Sequence, residues 1–551
     1  MPEPLSADVV VIGSGICGCL TAERLARTGF SVLVLEAGPR VTRAQLVLAY
    51  RSAARKGDWM APYPPTRWAP HPTYQPHEGS GADPDKGHNP GTTSDAQGNG
   101  YLVQAGPYPY PAEYIRVVGG TTWHWAAQMW RYVPNDFRIR SLYRVGKDWP
   151  ITYDDLEPWY YEAELKTGVS GAPNTGSPRT KPFPMQPVAE VWAMRRFRER
   201  LAPGGYAVVS NTTARNSRPY DGRPPCCGAN NCQPICPVDA QYTGGVAVAA
   251  AEKAGVAIRP NAVVYRIEHG PRGRIAAVHY YDPDKGSHRV TGQWFVLAAN
   301  GIESPKLLLM SASARYPGGL ANTSGMVGRN LCDHPSSSLT FDAEDELWLG
   351  RGPQSPASIN TMRDGPFRSQ HAPFRLDFTN ISQVRAVTED LIKEGIFGAK
   401  FEQQLRHRAA RQCNVKNVIE VLPNPENRVV LSTQKDALGL PKPQIHYRLD
   451  DYLERGMAAA KREYARIAAL MGGTRLRYTP DGEYSNNQHI TGTLGMGRDA
   501  KDSVVDAYGR AHDHENLFMV GTGVMPTVGT CNSTLTALAL ALRTADHIER
   551  A

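Results

Sequence analysis

A pattern near the N-terminus constrains the fold more than any other part of this chain. Residues 8–12 form a short apolar run rich in valine, which is typical of a parallel strand buried on both faces. A glycine-rich turn, GSGICG, follows at residues 13–18 and leads into a helical stretch over 20–28 and a second apolar strand over 31–35. A strand, a glycine-rich turn, a helix and a strand in this order form the βαβ unit that binds a dinucleotide. A turn without a ligand would not require this complete arrangement, so we predict a nucleotide site here.

The residues of this unit have separate predicted roles. Gly13 permits the tight turn, Gly15 lets the backbone approach a pyrophosphate, and Gly18 lets the helix pack closely against the strand. Ser14 lies in the same turn, where the N–H groups of the helix N-terminus favour phosphate. Glu36 ends the second strand and is placed to accept a hydrogen bond from a ribose 2′-hydroxyl. The pattern alone does not distinguish FAD from NAD.

A cysteine-rich segment, CCGANNCQPICP, occupies residues 226–237 and contains four of the nine cysteines. Thiolates at such short spacings suit an iron–sulfur cluster, because several sulfurs must converge on one inorganic core. The usable ligands are Cys226 or Cys227, followed by Cys232 and Cys236, so three ligands and one spare favour three irons over four. Zinc and free or structural thiols remain alternatives, although zinc usually requires two separated Cys-x-x-Cys pairs or histidine partners. The other five cysteines are predicted to be buried free thiols.

Length, charge and composition limit the remaining possibilities. A chain of 551 residues allows two to four domains. The net charge of +8 is spread along the chain, which does not indicate a nucleic-acid-binding protein. No apolar run has the length of a membrane helix, and residues 1–7 do not have the pattern of a secretion signal. The abundance of Gly and Pro predicts many loops, including a long surface loop over 71–110.

The later part of the chain shows further strand and helix patterns. Hydrophobic periodicity predicts helices over 246–254 and 304–310, and strands over 257–258, 263–267, 276–281 and 294–299. Strands and helices also alternate from about 345 to 480, with fewer signs of a nucleotide-binding unit, which favours a second domain there.

Together these residues resemble the glucose–methanol–choline (GMC) oxidoreductase family, which binds FAD. The similarity covers essentially the whole chain, and it is carried by the N-terminal turn and by four further strings, VGGTT (118–122), NAVVYRI (261–267), NQH (487–489) and CNS (531–533). The resemblance implies an α/β fold with a Rossmann-like FAD-binding domain and a second α+β substrate domain. The implied FAD-binding domain is discontinuous: residues 1–344, including the insert 71–110 and the iron–sulfur segment 205–240, completed by 481–551, with the substrate domain at 345–480.

Within this family the chain looks most like the FAD catalytic subunits of bacterial membrane-associated sugar dehydrogenases. The strings WAPHP (68–72), residues 119–127, RNSRPYDGRP (215–224) and the cysteine segment carry this similarity. It implies a 3Fe-4S cluster held by Cys226, Cys232 and Cys236, and oxidation of a sugar hydroxyl, with a glucose-like sugar as the first expectation. Fructose, a sugar alcohol, or gluconate or ketogluconate are alternatives, and an oxidase that uses oxygen is less favoured because of the cluster.

The chemistry and the resemblance together identify candidate site residues. Oxidation of an alcohol requires a base for the O–H proton, and neutral imidazole suits this task because its pKa is about 6.5. By resemblance the base is His489 and its hydrogen-bonding partner is Asn532. The resemblance also implies that the cofactor is contacted by Gly119, Gly120, Thr122, Val264 and Thr527. Two other histidines have separate interpretations, His124 as part of the flavin environment and His334 as a structural residue.

The resemblance also implies partners and a compartment. We expect a small export subunit that carries the signal for both chains, and a multihaem cytochrome c subunit that accepts electrons and anchors the complex. Contact with the membrane is then made only through a partner, at the periplasmic face of the inner membrane, and the chain expressed alone is expected to stay in the cytoplasm. Two other interpretations are less favoured. A redox-silent lyase would not use the cluster, and a non-enzymatic electron-transfer subunit would not need His489.

Overall fold

The computed structural model describes residues 5–53, 62–63, 66–72, 100–110 and 112–551. The predicted surface loop at 71–110 lies mostly outside these described residues.

The described residues form strands and helices that alternate along much of the chain. The strands are β1 (Leu5–Ile12), β2 (Val32–Leu35), β3 (Val103–Gln104), β4 (Val208–Ser210), β5 (Ala257–Arg259), β6 (Val263–His269), β7 (Ile275–Tyr281), β8 (Ser287–Leu297), β9 (Pro335–Ser336), β10 (Ser338–Asp342), β11 (Ala357–Ile359), β12 (Phe374–Thr379), β13 (Gln412–Ile419), β14 (Arg428–Lys435), β15 (Pro441–His446), β16 (Thr474–Tyr478), β17 (Ser485–Asn486) and β18 (Leu517–Met519). The helices are α1 (Ile16–Arg27), α2 (Arg43–Ser52), α3 (Ile139–Tyr143), α4 (Tyr153–Thr167), α5 (Trp192–Leu201), α6 (Gly244–Lys253), α7 (Asn300–Met310), α8 (Val384–Lys393), α9 (Gly398–Ala409), α10 (Asp451–Leu470) and α11 (Thr534–Glu549).

The first sheet has seven strands and contains the predicted nucleotide-binding unit. Its order is β5-β2-β1-β8-β7-β6, with β18 also paired to β8, and β1 runs parallel to both β2 and β8. The side chains of Val9, Val10 and Val11 are completely buried, and each contributes roughly 1.5–3 kcal/mol relative to an exposed position. Helices α1, α6, α11 and α4 pack together beside this sheet. The Rossmann-like fold that the sequence predicts is therefore confirmed.

Helix α1 begins at Ile16, inside the glycine-rich segment 13–18 and four residues before the predicted start. Gly15 caps the helix with an extended backbone conformation. Gly18 lies in the first turn, where a Cβ atom would stand 2.2 Å from the carbonyl oxygen of Gly13. The helix can start this early because glycine places no side chain between the turn and the helix.

The second sheet has six strands in the order β16-β10-β13-β12-β11-β4, and its neighbouring strands are antiparallel. Helix α10 packs against it and buries Met457, Tyr464 and Ile467. Two of its strands, β4 and β10, come from before residue 345, so the sheet extends beyond the segment predicted as the substrate domain. Strand β10 belongs to this sheet through its pairing with β13, in which Leu339 lies opposite Val415.

The described end of the predicted surface loop is part of the interior. Strand β3 pairs in parallel with β15, where Val103 lies opposite Gln444. Tyr101 and Tyr110 are buried in a cluster with Ile445. The prediction of a surface position is wrong for Tyr101 and Tyr110, whose side chains are buried. Residues 73–99 lie outside the described chain.

Within the part of the chain that the structure describes, no helix combines the length and apolarity needed to cross a membrane. The five scattered cysteines are free thiols: Cys19, Cys332, Cys413 and Cys531 are buried and Cys17 is partly buried.

Candidate functional site

One cavity of about 960 Å³ is lined by residues of both sheets. We call its lining by Gly13, Gly15, Glu36 and Val264 the nucleotide side. The reaction side is the lining by four other side chains, those of Asp377, Lys416, His489 and Asn532. Residues predicted for cofactor binding and for catalysis therefore face one continuous space.

The glycines of the nucleotide side meet different surroundings. Gly13 has φ +105°, and a Cβ atom there would lie 2.6 Å from the carbonyl oxygen of Ala298. Gly15 faces the cavity, and a Cβ atom there would meet nothing within 4 Å. Gly18 does not line the cavity and serves the close packing of α1. This arrangement fits a pyrophosphate that lies against the backbone of Gly15 at the N-terminus of α1.

A hydrogen-bonded group links three segments of the nucleotide side. The hydroxyl of Ser14 donates to Glu36 Oε2 at 2.6 Å and accepts from the backbone N–H of Gly119 at 3.0 Å. The other carboxylate oxygen of Glu36 accepts from the backbone N–H of Gly38 at 3.0 Å. Ser14 is completely buried, so its side chain joins the turn to the 118–122 segment while Glu36 faces the cavity.

The segment predicted to contact the flavin reaches the cavity through Gly120 and Thr122. Gly119 has φ +98° and packs tightly, since a Cβ atom there would lie 2.6 Å from the indole nitrogen of Trp123. His124 also lines the cavity, and neither of its buried ring nitrogens has a hydrogen-bond partner among the described residues. Burial lowers the pKa of His124 to about 4. These unpaired nitrogens and the open space at Gly15 fit a polar ligand such as FAD.

Val264 and Thr527, both predicted to contact the cofactor, differ in their position relative to the cavity. Val264, on β6, lines the cavity. Thr527 does not line it; its hydroxyl is fully buried and accepts from the indole N–H of Trp149 at 2.8 Å. The side chain of Thr527 is thus used in packing, and its contact with the cofactor stays a prediction. Thr522, in the glycine-rich turn that precedes this segment, lines the cavity.

Side chains from distant parts of the sequence form a chain of hydrogen bonds on the reaction side. The Nε2 atom of His334 lies 2.9 Å from the carbonyl oxygen of Gly529, and its Nδ1 atom lies 2.7 Å from His489 Nδ1. The Nε2 atom of His489 lies 2.9 Å from the amide nitrogen of Asn532. The amide oxygen of Asn532 accepts from Arg375 at 3.0 Å.

The groups at the two ends of this series of hydrogen bonds, the Gly529 carbonyl and the Arg375 guanidinium, determine which nitrogen atoms carry protons. A carbonyl oxygen only accepts, so His334 must donate from Nε2 and accept at Nδ1. His489 therefore donates from Nδ1 and keeps a lone pair on Nε2, which accepts from Asn532. A guanidinium only donates, which agrees with the amide oxygen of Asn532 facing Arg375. The arrangement presents His489 with its basic nitrogen beside the cavity.

The electrostatic surroundings keep both histidines neutral. Burial, then the neighbouring His334, Arg375 and Lys416, hold the pKa of His489 well below its ordinary value. Burial lowers the pKa of His334 to about 3. His489 is therefore available as a base across the neutral pH range.

Asp333 supports the backbone of this group. One of its carboxylate oxygens accepts from the backbone N–H groups of His334 and His489, at 2.6 and 2.8 Å, and the other accepts from the hydroxyl of Tyr110. Burial raises the pKa of Asp333 to about 6. The ligand atoms of Asp333, His334 and His489 are close enough for a metal ion, but each of them already has a hydrogen-bond partner within the protein.

The interpretation of His334 as a structural residue is thus incomplete, because it contacts the predicted base directly. Arg375 and Lys416 were not predicted at all. Their positions on β12 and β13 follow an ordinary strand pattern, and only the pairing of these strands brings Lys416 to the cavity and Arg375 to Asn532.

The cysteine segment forms a loop that is attached to its surroundings. Cys232 and Cys236 are buried and Cys226 is partly buried. Backbone groups hold the loop, since Cys226 N–H donates to Asn216 and Cys236 O accepts from Arg43. Burial raises the pKa of Cys226, and the neighbouring thiol of Cys232 raises it further. Within the described chain these three sulfurs do not all lie within 4.8 Å of one another, so they form no ready site for a single ion.

Comparison with known proteins agrees with this geometry. Models of the GMC oxidoreductase family match residues 211–336 and 423–541, and a model of the NAD(P)-binding Rossmann-like domain matches residues 11–78. The fructose dehydrogenase large subunit of Gluconobacter japonicus is 45% identical, covering 99% of this chain and 98% of its own. The 6'''-hydroxyparomomycin C oxidase of Streptomyces lividus is 30% identical, and the match covers 98% of this chain and 91% of that protein. The crystal structure of pyridoxine 4-oxidase from Mesorbium loti has a TM-score of 0.64 at 20% identity, covering 99% of each chain, and shows the same fold.

Proposed function

Because the chain belongs to the GMC oxidoreductases, FAD-dependent enzymes that act on CH–OH donors, we propose that it is a dehydrogenase of a neutral sugar, with D-fructose as the first candidate. The observation that carries this proposal is the neutral His489, whose basic Nε2 atom faces the same cavity as the nucleotide side. The choice of fructose over a glucose-like sugar is supported by the relative that is 45% identical over nearly the whole chain.

The chain's own residues would hold and deprotonate the substrate. FAD, when bound, supplies the acceptor for the hydride that leaves the alcohol carbon. The O–H of the substrate would donate to His489 Nε2, which takes the proton, and the amide of Asn532 would donate an N–H to the substrate oxygen. His334 accepts from His489 Nδ1 and so stabilises the imidazolium that forms, while Arg375 keeps the amide of Asn532 oriented.

Anaerobic flavin bleaching tests the proposal. Purified protein containing FAD is mixed with D-fructose, D-glucose, a sugar alcohol and D-gluconate, and the loss of flavin absorbance is followed. Rapid bleaching by D-fructose supports the proposal, and bleaching by another of the four compounds identifies that compound as the substrate instead. The absence of bleaching by every sugar contradicts it. Admission of air to the reduced protein then tests the alternative of an oxidase, which requires rapid return of the oxidised flavin.

We further propose that Cys226, Cys232 and Cys236 hold an iron–sulfur cluster with three irons, which would supply one-electron chemistry beside FAD. The proposal is supported by their spacing, by the burial of Cys232 and Cys236, and by the attachment of the loop. A cluster also spreads its ligands further apart than a single ion does. Iron and sulfide analysis with electron paramagnetic resonance of anaerobically purified protein tests it. Cys232→Ser should lose the iron, whereas Cys227→Ser, at an exposed thiol, should retain it; equal iron in both variants contradicts the assignment.

Partner subunits and a periplasmic location complete the proposal. The relative in Gluconobacter japonicus is named as a large subunit, which implies smaller ones. We propose a small export subunit and a multihaem cytochrome c subunit, with membrane contact made only through a partner. Fractionation of cells that express the chain alone or with its partners tests this. Export of the chain without any partner would contradict the proposed role of the export subunit.

A further inference from the structure

Lys416 is a cation inside the cavity whose hydrogen-bonding capacity is mostly unused. It lies on β13 between Val415 and Asn417, both completely buried, and its side chain reaches the reaction side. Its ammonium donates to the amide oxygen of Asn487 at 3.3 Å, which is its single hydrogen bond to the described residues. An ammonium has three donors, so two remain for a ligand.

The neighbouring carboxylate does not satisfy Lys416. Asp377 lies directly opposite Lys416 in the pairing of β12 with β13. Both of its oxygens accept from Arg375, each at 2.9 Å. No carboxylate of the described residues lies within 4.0 Å of the Lys416 ammonium, whereas Arg375 and Asp377 form a close pair. Burial lowers the pKa of Lys416, so its protonated form is less favoured here than in water.

Asn487 fixes Lys416 relative to the base. The backbone N–H and the side-chain amide of Asn487 both donate to the carbonyl oxygen of His334, at 3.2 and 2.8 Å. The same residue accepts from Lys416 and precedes His489 by two positions. The ammonium is therefore held at a set position beside the His334–His489 pair.

We propose that Lys416 binds a substrate oxygen other than the one that His489 deprotonates, and so selects substrates with several hydroxyl groups. This inference rests on the proposed function. In the proposed function the reacting oxygen contacts His489 and Asn532. The ammonium of Lys416, on β13, is therefore available to a second oxygen of the substrate. A hydroxyl or ring oxygen of the substrate can accept a hydrogen bond from the donors that this ammonium has left.

Lys416→Met tests the proposal, since methionine keeps the length of the side chain and removes the charge. The rate of anaerobic flavin reduction is measured against D-fructose concentration. We expect the half-saturating concentration to rise roughly ten- to a hundredfold, as for loss of a hydrogen bond to a charged group, with a much smaller change in the limiting rate. Lys416→Arg should restore part of the affinity. Lys461→Met, at an exposed lysine paired with Asp481 on the surface, is the matched control and should leave both quantities unchanged.

The outcomes separate the two proposals. If D-fructose reduces the wild-type flavin but Lys416→Met has an unchanged half-saturating concentration, the role of Lys416 is overturned and the proposed function stands. The same holds if only the limiting rate falls. If Lys416→Met does not fold, Lys416→Gln is measured in its place with the same expectation. If no sugar reduces the wild-type flavin, the proposed function fails, and this inference fails with it.

Discussion

The two sides of the cavity are built in different ways. The nucleotide side comes mainly from one short stretch of chain, in which glycines and backbone groups face the ligand and Ser14 and Glu36 hold the turn in place. The reaction side and the side chains hydrogen-bonded behind it come from residues that lie far apart in the sequence, among them His334, Arg375, His489 and Asn532. The first depends on the absence of side chains, and the second depends on a continuous series of side-chain hydrogen bonds.

Because of this difference, substitutions should impair the two sides of the cavity in different ways. A glycine site is damaged by adding atoms, because backbone must approach backbone or a ligand. A hydrogen-bonded chain is damaged by removing atoms, because each buried group then loses its partner. Substitutions on the reaction side should slow the reaction while the cofactor stays bound. Substitutions on the nucleotide side should affect folding or cofactor content first.

Replacement of the base should give the largest effect. His489→Ala removes the group that takes the hydroxyl proton, and general base catalysis contributes roughly 10²–10⁴-fold to a rate. We expect the limiting rate of flavin reduction to fall by this factor while the FAD content is unchanged, as measured by rapid mixing without oxygen. His288→Ala, at a surface histidine paired with Asp282, serves as the control. Equal reduction rates in His489→Ala and the wild type would show that the reaction side is not the catalytic site.

Loss of the histidine behind the base should have the next largest effect. His334→Phe keeps an aromatic ring but removes the acceptor for His489 Nδ1 and the donor to Gly529. The orientation and tautomer of His489 are then no longer held, and misplacement of a reacting group by about 1 Å can cost roughly 10²-fold. The limiting rate should fall accordingly with FAD retained. A variant that binds substrate more weakly at an unchanged limiting rate would argue against this positioning role.

Two glycine substitutions on the nucleotide side should separate folding from cofactor binding. In Gly18→Ala the new methyl group would stand 2.2 Å from the Gly13 carbonyl oxygen, and such overpacking costs about 1–3 kcal/mol. Thermal unfolding should therefore occur at lower temperature. Gly15→Ala adds its methyl group to open cavity space, so the melting temperature of the protein without FAD should stay close to that of the wild type while FAD content falls. The reverse pattern would contradict the separate roles of these glycines.

The pH dependence should show the smallest effect and test the electrostatics of the reaction side. Because the surroundings hold the pKa of His489 well below about 6.5, the base stays neutral as the pH falls through this value. The limiting rate should be constant there and fall only at lower pH. Asn532→Asp puts a carboxylate beside His489 Nε2, which raises the pKa of His489, so the decrease should begin at higher pH. A wild-type decrease centred near 6.5 would show that the base is not buried in this way.

Much of the first sheet could be predicted because its signals are local. The valine run of β1, the glycine turn and the strands β5 to β8 were all predicted, with shifts of a few residues at the ends of the helices and a longer β8. The burial of Tyr101 and Tyr110 was missed because a segment rich in Gly and Pro is typical of a surface loop. Tyr101 and Tyr110 are buried by contacts with chain that is distant in sequence.

The sequence by itself determined the nucleotide-binding unit and the residue types needed for the chemistry, because glycine spacing and apolar periodicity act over a few neighbouring residues. His489 and Asn532 were found through resemblance to a family. Only the tertiary structure decided that His334 holds His489, that Thr527 faces the interior, and that Lys416 enters the cavity. These depend on strand pairing and on the direction of single side chains, which are fixed by contacts between residues far apart in the chain and leave no periodic signal.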